Sequence, residues 1–208
     1  MSEEFDAEKY IAELRKNLEE NNDCDITHYN LGCALIGQGK YEEAEQELKE
    51  AIRCNSEIAE AYVQLGGLAM RKGDLNTSLS YNQNAAKIRP RFAVPRGNIG
   101  FIYLQKGELD QAIKNLRAAI SLDPQFVQAI ATLGNAYLMQ GDIDGSIAEG
   151  KKAIELQPTF GPAYHNLSLA YMEKGDYEQA AQFSDLAIKY GYDVPEKIRK
   201  ELQSQTSS

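Results

Sequence analysis

The amino-acid sequence predicts an all-helical repeat protein. The first observation is that small residues recur every 34 positions without insertion, as Gly32, Gly66, Gly100, Gly134 and Ser168. The second is a parallel series of glycines in register with the first, Gly39, Gly73, Gly107, Gly141 and Gly175. The third is that apolar residues between these series follow helical spacing. A fixed period of about 20–50 residues is typical of stacked structural repeats.

Composition limits the function classes. The chain has 208 residues, of which 43% are hydrophobic, so it can bury a core, and a repeat array counts as one continuous unit. The net charge of -9 argues against a general nucleic-acid binder. No apolar run approaches the roughly 18 residues of a membrane span, and the acidic start does not resemble a signal peptide. We therefore expect a cytoplasmic protein in which Cys24, Cys33 and Cys54 are reduced thiols.

The first element is an acidic helix over residues 4–20. Its apolar residues follow helical spacing and include Phe5, Tyr10, Ile11, Leu14 and Leu18. Residues 1–25 hold nine acids and three bases, a charge of -6, which leaves -3 for the rest of the chain. We expect residues 1–24 to form a helical cap over the exposed end of the array.

Five helix–turn–helix repeats follow, at 25–58, 59–92, 93–126, 127–160 and 161–194. In the first of them, residues 26–37 and 41–54 form the two helices, and Gly39 provides the left-handed residue that ends the first helix. In the later repeats an acid follows the turn glycine, and we expect it to cap the second helix. These acids are Asp74, Glu108, Asp142 and Asp176.

The end of the array departs from this pattern. Pro90, Pro124 and Pro158 recur after the second helix, where they prevent its continuation, but the fifth repeat has no equivalent proline. Residues 195–203 predict a C-terminal capping helix that begins with proline. Residues 204–208 predict a disordered polar tail.

These features resemble the tetratricopeptide repeat family. The resemblance rests on the period and on the order L-G-x-x-Y, G-D/E, A, A, P, which is clearest in ATLGNAYLMQGDIDGSIAEGKKAIELQP at 131–158. It covers residues 25–194 and implies a right-handed α-α superhelix whose concave groove, lined by the first helix of each repeat, binds a peptide of another protein. Arg96 and Gly150 depart from the family pattern, and we expect either to loosen local packing.

The family register places a set of apolar, amide and basic side chains in the groove. An apolar surface of this kind is typical of a partner site. One row of these positions recurs every 34 residues and can equally belong to the repeat core. It consists of Ile36, Met70, Leu104, Leu138 and Met172. The asparagines suit the backbone of a bound peptide, although asparagine is also ordinary in this family. The candidate groove residues are Tyr29, Asn30, Val63, Met70, Arg71, Arg96, Asn98, Phe101, Leu104, Asn135, Leu138, Met139, Asn166 and Leu169.

Residues 71–106 form a basic segment in an acidic chain, with seven bases and one acid. Arginine binds carboxylates through two hydrogen bonds, so this segment favours an acidic peptide or a C-terminal carboxylate as ligand. It can also be a solvated edge, or it can receive the acidic N-terminal helix of a second copy. The carboxylate clamp of chaperone-binding family members is incomplete, because Asn135 and Asn166 match it whereas Ala131 and Glu196 stand where lysines are needed.

The sequence contains no nucleophile motif, phosphate-binding glycine loop or metal-binding cysteine pair. We therefore predict a non-catalytic adaptor without cofactor or metal, which binds a protein or peptide and neither binds nucleic acid nor inserts into a membrane. One alternative is a scaffold that self-assembles as a homo-oligomer through its N-terminal helix. Another is an accessory subunit of an enzyme complex.

Overall fold

The computed structural model describes residues 7–20 and 24–206, apart from the side chain of Cys24, and every regular element in these ranges is an α-helix. This confirms the predicted all-helical repeat class. Phe5, assigned above to the N-terminal helix, and residues 207–208 of the tail lie outside the described residues. The chain divides into two compact units, Met1–Pro95 and Arg96–Ser208.

The first unit places each helix against the next one in the chain. Its core is formed by fully buried leucines of α2 to α4, among them Leu31, Leu48 and Leu65, and α1 adds Ile11 and Leu14 to the same core. The helices are α1 (Ala7–Glu20), α2 (Cys24–Gly37), α3 (Tyr41–Cys54), α4 (Ala59–Arg71) and α5 (Leu75–Ile88).

The second unit continues the same plan, and the boundary between the units falls within α6. Helices α8 and α9 pair with each other, as do α10 and α11, while α8 also contacts α10 directly. Helix α12 packs against α11 and buries Leu202. The helices are α6 (Ala93–Gln105), α7 (Leu109–Leu122), α8 (Val127–Gln140), α9 (Ile143–Leu156), α10 (Gly161–Glu173), α11 (Tyr177–Lys189) and α12 (Glu196–Thr206).

In the turns between paired helices, the predicted left-handed glycines are confirmed, whereas the predicted capping by the acid that follows is confirmed at three of four positions. All five turn glycines have positive φ, between 73° and 87°. The side chains of Asp74, Asp142 and Asp176 accept a hydrogen bond from the backbone N–H three residues later, at 2.9–3.1 Å. Glu108 makes no such bond, so its predicted capping role is wrong. Aspartate has the reach that an N-cap requires, whereas glutamate is one methylene longer.

The small-residue series brings the two helices of a repeat together. A Cβ on Gly32 would lie 2.7 Å from Cγ of Leu48, and one on Gly100 would lie 2.6 Å from Cγ of Leu116. In the last repeat the hydroxyl of Ser168 donates to the backbone oxygen of Ala180 at 2.8 Å. The helices therefore approach at positions where a larger side chain does not fit.

Gly150 does not loosen its surroundings, contrary to the expectation above. It is buried, and a Cβ there would lie 2.8 Å from both Cγ and Cδ2 of Leu167, which is itself fully buried. The space left by the missing side chain is thus filled by a leucine of the next repeat. A larger residue at 150 would have to displace that leucine.

The C-terminal helix is longer than predicted. It runs through Thr206, so residues 204–206 are helical and not part of a disordered tail. The hydroxyl of Ser204 donates to the backbone oxygen of Glu201 at 2.7 Å, and that of Thr206 donates to the backbone oxygen of Leu202 at 2.9 Å. These hydroxyls bond back to carbonyls of the preceding turn, a pattern that serine and threonine often adopt in helices.

The cysteines also differ from expectation. Cys33 is a free thiol, but Cys54 is disulfide-bonded. The expectation that all three cysteines are reduced is therefore wrong for Cys54. Cys33 is half-buried, and burial raises the pKa of its thiol.

Candidate functional site

A cleft of about 470 Å³ lies in the second unit. Three first helices, α6, α8 and α10, line its walls, as the family register predicts for a groove. The loop after α11 closes one end with Tyr192. The lining residues are Gly97, Asn98, Phe101, Leu104, Gln105, Phe126, Gln128, Ala129, Ala131, Thr132, Asn135, Phe160, Pro162, Asn166 and Tyr192.

None of these lining residues carries a charge. Five have side-chain amides, namely Asn98, Gln105, Gln128, Asn135 and Asn166, and four are aromatic, namely Phe101, Phe126, Phe160 and Tyr192. Amides both donate and accept hydrogen bonds, whereas the aromatic rings offer apolar faces. The cleft therefore combines polar recognition with apolar contact and has no ionic component.

Two of the aromatic residues occupy equivalent positions in successive repeats. Phe126 is the residue that precedes α8, and Phe160 precedes α10. The ring of Phe126 lies against Gly97, where a Cβ would come within 2.7 Å of its Cε1 atom. Phe160 packs against a core cluster that includes Ala131, the residue equivalent to Gly97 in the next repeat. Small residues on the first helices thus make room for the rings.

Asn166 has a structural role within the cleft. Its side-chain amide donates to the backbone oxygen of Ala131 at 2.9 Å, which joins α10 to α8. One of its two N–H donors is therefore already used. Asn135 and Gln128, both on α8, add further amide groups to the lining.

Tyr192 is fixed in place at the end of the cleft. Its backbone N–H donates to the oxygen of Ala187 at 2.9 Å, and its ring stacks on His165 with centroids 4.5 Å apart. His165 is only 8% exposed, and no described residue bonds its Nδ1 atom. Burial lowers the pKa of His165 below its ordinary value of 6.5, so the ring is neutral near neutral pH.

The structure brings together only some of the predicted groove residues of the second unit. Asn98, Phe101, Leu104, Asn135 and Asn166 line the cleft, although Leu104 is 3% exposed and belongs mainly to the repeat core. The other four do not line it. Arg96 donates to Asn115 Oδ1 at 3.4 Å, Leu138 packs against the core, Leu169 is half-buried, and Met139 is 55% exposed.

The predicted groove residues of the first unit lie outside this cleft. Tyr29 packs against the core of that unit, and burial raises the pKa of its hydroxyl to about 12. The guanidinium of Arg71 lies 3.9 Å from the centre of the Tyr41 ring on α3. Asn30, Val63 and Met70 are half-buried on α2 and α4.

The expected basic centre is absent from the cleft. Three bases of the segment 71–106 are paired with acids instead. Arg89 forms two hydrogen bonds with Glu60, at 2.5 and 3.1 Å, and Lys106 lies 3.5 Å from Glu108. Lys72 pairs with Glu45, which also accepts from Lys49, and these two bonds lower the pKa of Glu45. Acids from earlier helices of the chain thus compensate Lys72 and Arg89.

Sequence reasoning missed three aromatic residues of the cleft, Phe126, Phe160 and Tyr192. A signal for the first two was present, because Phe92, Phe126 and Phe160 are spaced by 34 residues. This aromatic series falls between the predicted helices, where the family register assigns no groove position. Tyr192 gave no such signal, since it occupies the place of the repeating proline.

The described residues contain no group of three or more His, Cys, Asp or Glu side chains placed to hold a metal ion. Among the same residues, none of the helices has the length and apolarity needed to cross a membrane.

Family comparison agrees with this architecture. Models described as TPR repeat match residues 100–141 and 134–175, and models described as tetratricopeptide repeat match residues 26–58 and 161–190. The chain belongs to the tetratricopeptide repeat family.

Solved structures show the same fold at low sequence identity. YrrB, described as a TPR protein with an unusual peptide-binding site, is 20% identical, with a TM-score of 0.69 over 92% of this chain and 97% of YrrB. PilF of Pseudomonas aeruginosa is 17% identical, with a TM-score of 0.73 over 95% of this chain and 89% of PilF. MamA is 24% identical, with a TM-score of 0.65 over 77% of this chain and 94% of MamA. No curated protein sequence matches the chain.

Proposed function

We propose that the protein is a non-catalytic adaptor that binds a peptide segment of a partner protein in the cleft of its second unit. The observation that carries this proposal is the cleft itself, in which amide side chains from three successive first helices converge with four aromatic rings. Its volume lies within the range of about 300–1,000 Å³ that is usual for ligand sites. A segment of a few residues therefore fits within it.

The chemistry of the lining suits a peptide backbone. Each residue of an extended peptide presents a carbonyl and, except for proline, an N–H, and the side-chain amides of Asn135 and Gln128 can pair with either. The rings of Phe101, Phe126 and Phe160 can cover apolar side chains of the ligand. Burying a single large apolar side chain contributes about 1.5–3 kcal/mol, so two or three such contacts are enough for specific binding.

The experiment is selection of short peptides from a displayed random library on the intact protein, followed by titration of the enriched peptides. We expect Phe101→Ala and Asn135→Ala to weaken binding by about tenfold or more, because each removes one contact of the cleft. Ile188→Ala is the matched control, since Ile188 is 44% exposed on α11 and does not line the cleft. A library that yields no peptide, or peptides equally insensitive to all three substitutions, would refute the proposal.

The self-assembly alternative has less support from the fold. Ile11 and Leu14 of α1 are 4% and 7% exposed because they pack in the core of their own unit. Arg15 of α1 also pairs with Glu43 of α3 at 2.6 Å. Docking α1 on a second copy would require the loss of these contacts. An accessory role in an enzyme complex would use the same cleft for a different partner.

A cytoplasmic location remains a prediction. The disulfide at Cys54 opposes it, because disulfides persist mainly in oxidising compartments.

A further inference from the structure

We infer that the cleft of the second unit binds an uncharged, proline-rich segment in the polyproline II conformation. This inference rests on the proposed function and specifies its ligand. Three features of the cleft support it, namely its lack of charge, the equivalent positions of two aromatic residues on adjacent first helices and the hydrogen-bonding groups on its walls.

The first feature excludes a charged ligand. The lining contains no Asp, Glu, Lys, Arg or His side chain. Lys106, which follows the lining residue Gln105, is paired with Glu108. A ligand carboxylate or ammonium would lose its water in this cleft without gaining a counter-charge, which costs free energy. A neutral segment avoids this cost.

The second feature selects a conformation. Phe126 and Phe160 occupy equivalent positions at the starts of α8 and α10, and these two helices are in direct contact. The axes of contacting helices are about 8–10 Å apart. A polyproline II helix rises about 3.1 Å per residue with three residues per turn, so it repeats about every 9 Å. Every third residue of such a ligand would therefore advance by about the separation of these two helices, each of which begins beside a phenylalanine.

Other backbone conformations match this spacing less well. Side chains on one face of a strand recur about every 6.6 Å, since the rise is about 3.3 Å per residue and the period is two. An α-helix repeats about every 5.4 Å and is about 10–12 Å wide with its side chains. Neither period coincides with the separation of adjacent first helices.

The third feature is the supply of hydrogen-bonding groups. A polyproline II helix has no internal hydrogen bonds, so its carbonyls need external donors. Proline has no N–H, so a proline-rich segment needs donors more than acceptors. The amides of Asn135 and Gln128 lie on the cleft wall and carry two N–H groups each. Rings beside donors are the arrangement by which aromatic grooves bind proline-rich segments.

The test is a titration with fluorescently labelled nine-residue peptides, acetylated and amidated at their ends. The first peptide repeats Pro-Pro-Leu three times. In the second, alanine replaces every proline, and in the third, aspartate replaces every leucine. The intact protein is compared with Phe160→Ala and with the control Ile188→Ala, and far-ultraviolet circular dichroism confirms that each variant folds.

We expect the Pro-Pro-Leu peptide to bind at least about tenfold more tightly than either analogue, with little dependence on salt, because no ion pair is formed. Phe160→Ala should weaken this binding about tenfold or more, and Ile188→Ala should leave it unchanged. Equal binding of the alanine analogue, or tighter and salt-sensitive binding of the aspartate analogue, would overturn the inference while peptide binding itself stood. Failure of these peptides and of the random library together would refute the proposed function as well.

Discussion

Replacement of Gly150 by alanine tests the packing between neighbouring repeats. Alanine is favoured over glycine inside a helix by about 1 kcal/mol, so propensity alone predicts stabilisation. In the structure, however, the new Cβ would lie 2.8 Å from two atoms of Leu167, whose side chain is fully buried. Overpacking of this kind costs about 1–3 kcal/mol. We therefore expect Gly150→Ala to change the free energy of unfolding by between about zero and a loss of 2 kcal/mol.

Gly67 provides the matched control. It lies within α4, is exposed, and has no atom within 4 Å of where a Cβ would stand. Gly67→Ala should therefore realise the full propensity gain of about 1 kcal/mol. The assay is urea unfolding followed by circular dichroism at the helical band, since the chain contains no tryptophan. Thermal unfolding should agree, with about 2–4 °C in Tm for each kcal/mol in a chain of this size.

A double-mutant cycle isolates the contact between Gly150 and Leu167. Leu167→Ala should cost about 2–5 kcal/mol in the natural background, because it empties a buried site. In the Gly150→Ala background it should cost about 1–3 kcal/mol less, because it also removes the overlap. The reasoning fails if Gly150→Ala stabilises the protein as much as Gly67→Ala does, or if the cost of Leu167→Ala is the same in both backgrounds.

Three further predictions concern caps, pH and thiols. Asp142→Ala should lower the free energy of unfolding by about 1 kcal/mol, and Glu108→Ala should lower it by only a few tenths of a kcal/mol. The reason is that the side chain of Asp142 caps its helix whereas that of Glu108 does not. Equal losses in urea unfolding would contradict this. Burial lowers the pKa of His165 in the folded state. The contribution of neutral His165 to the free energy of unfolding is therefore fully present above pH 6.5 and is lost as pH falls towards the folded pKa. Below pH 6.5, Tm should fall less steeply with pH in His165→Phe than in the natural protein. Parallel plots of Tm against pH would show that His165 does not titrate in this range. Because Cys54 is disulfide-bonded and Cys33 is free, the denatured protein should take up more thiol label after reduction than before it. Equal labelling before and after reduction would show that no disulfide is present.

The sequence contains most of the information needed to predict the helices. The 34-residue series of glycines predicts both where helices end and where they pack closely, because a positive φ and a missing Cβ are local requirements. Turn glycines such as Gly39 and Gly141 meet the first requirement, and Gly32 and Gly100 meet the second. Such requirements are read from residue type and spacing alone.

The candidate site was only partly predictable, because several of its properties depend on contacts between residues distant in sequence. The sequence suggests that Arg89 is available to a ligand, but in the structure it is hydrogen-bonded to Glu60, which lies 29 residues away in the chain. Asn166 looked available in the same way, yet its amide joins two helices. Periodicity indicates which face of a helix a residue occupies, but it does not show which other residue forms a hydrogen bond or ion pair with it in the folded protein.

The sequence alone therefore determined the class of fold and the glycine turns between paired helices. Only the tertiary structure decided that the cleft is uncharged and that Phe126, Phe160 and Tyr192 line it. The physical reason is that helix formation and capping depend on residues a few positions apart. The chemistry of a cleft depends instead on which side chains from separate helices line it, and on which of these side chains are already hydrogen-bonded or ion-paired within the protein.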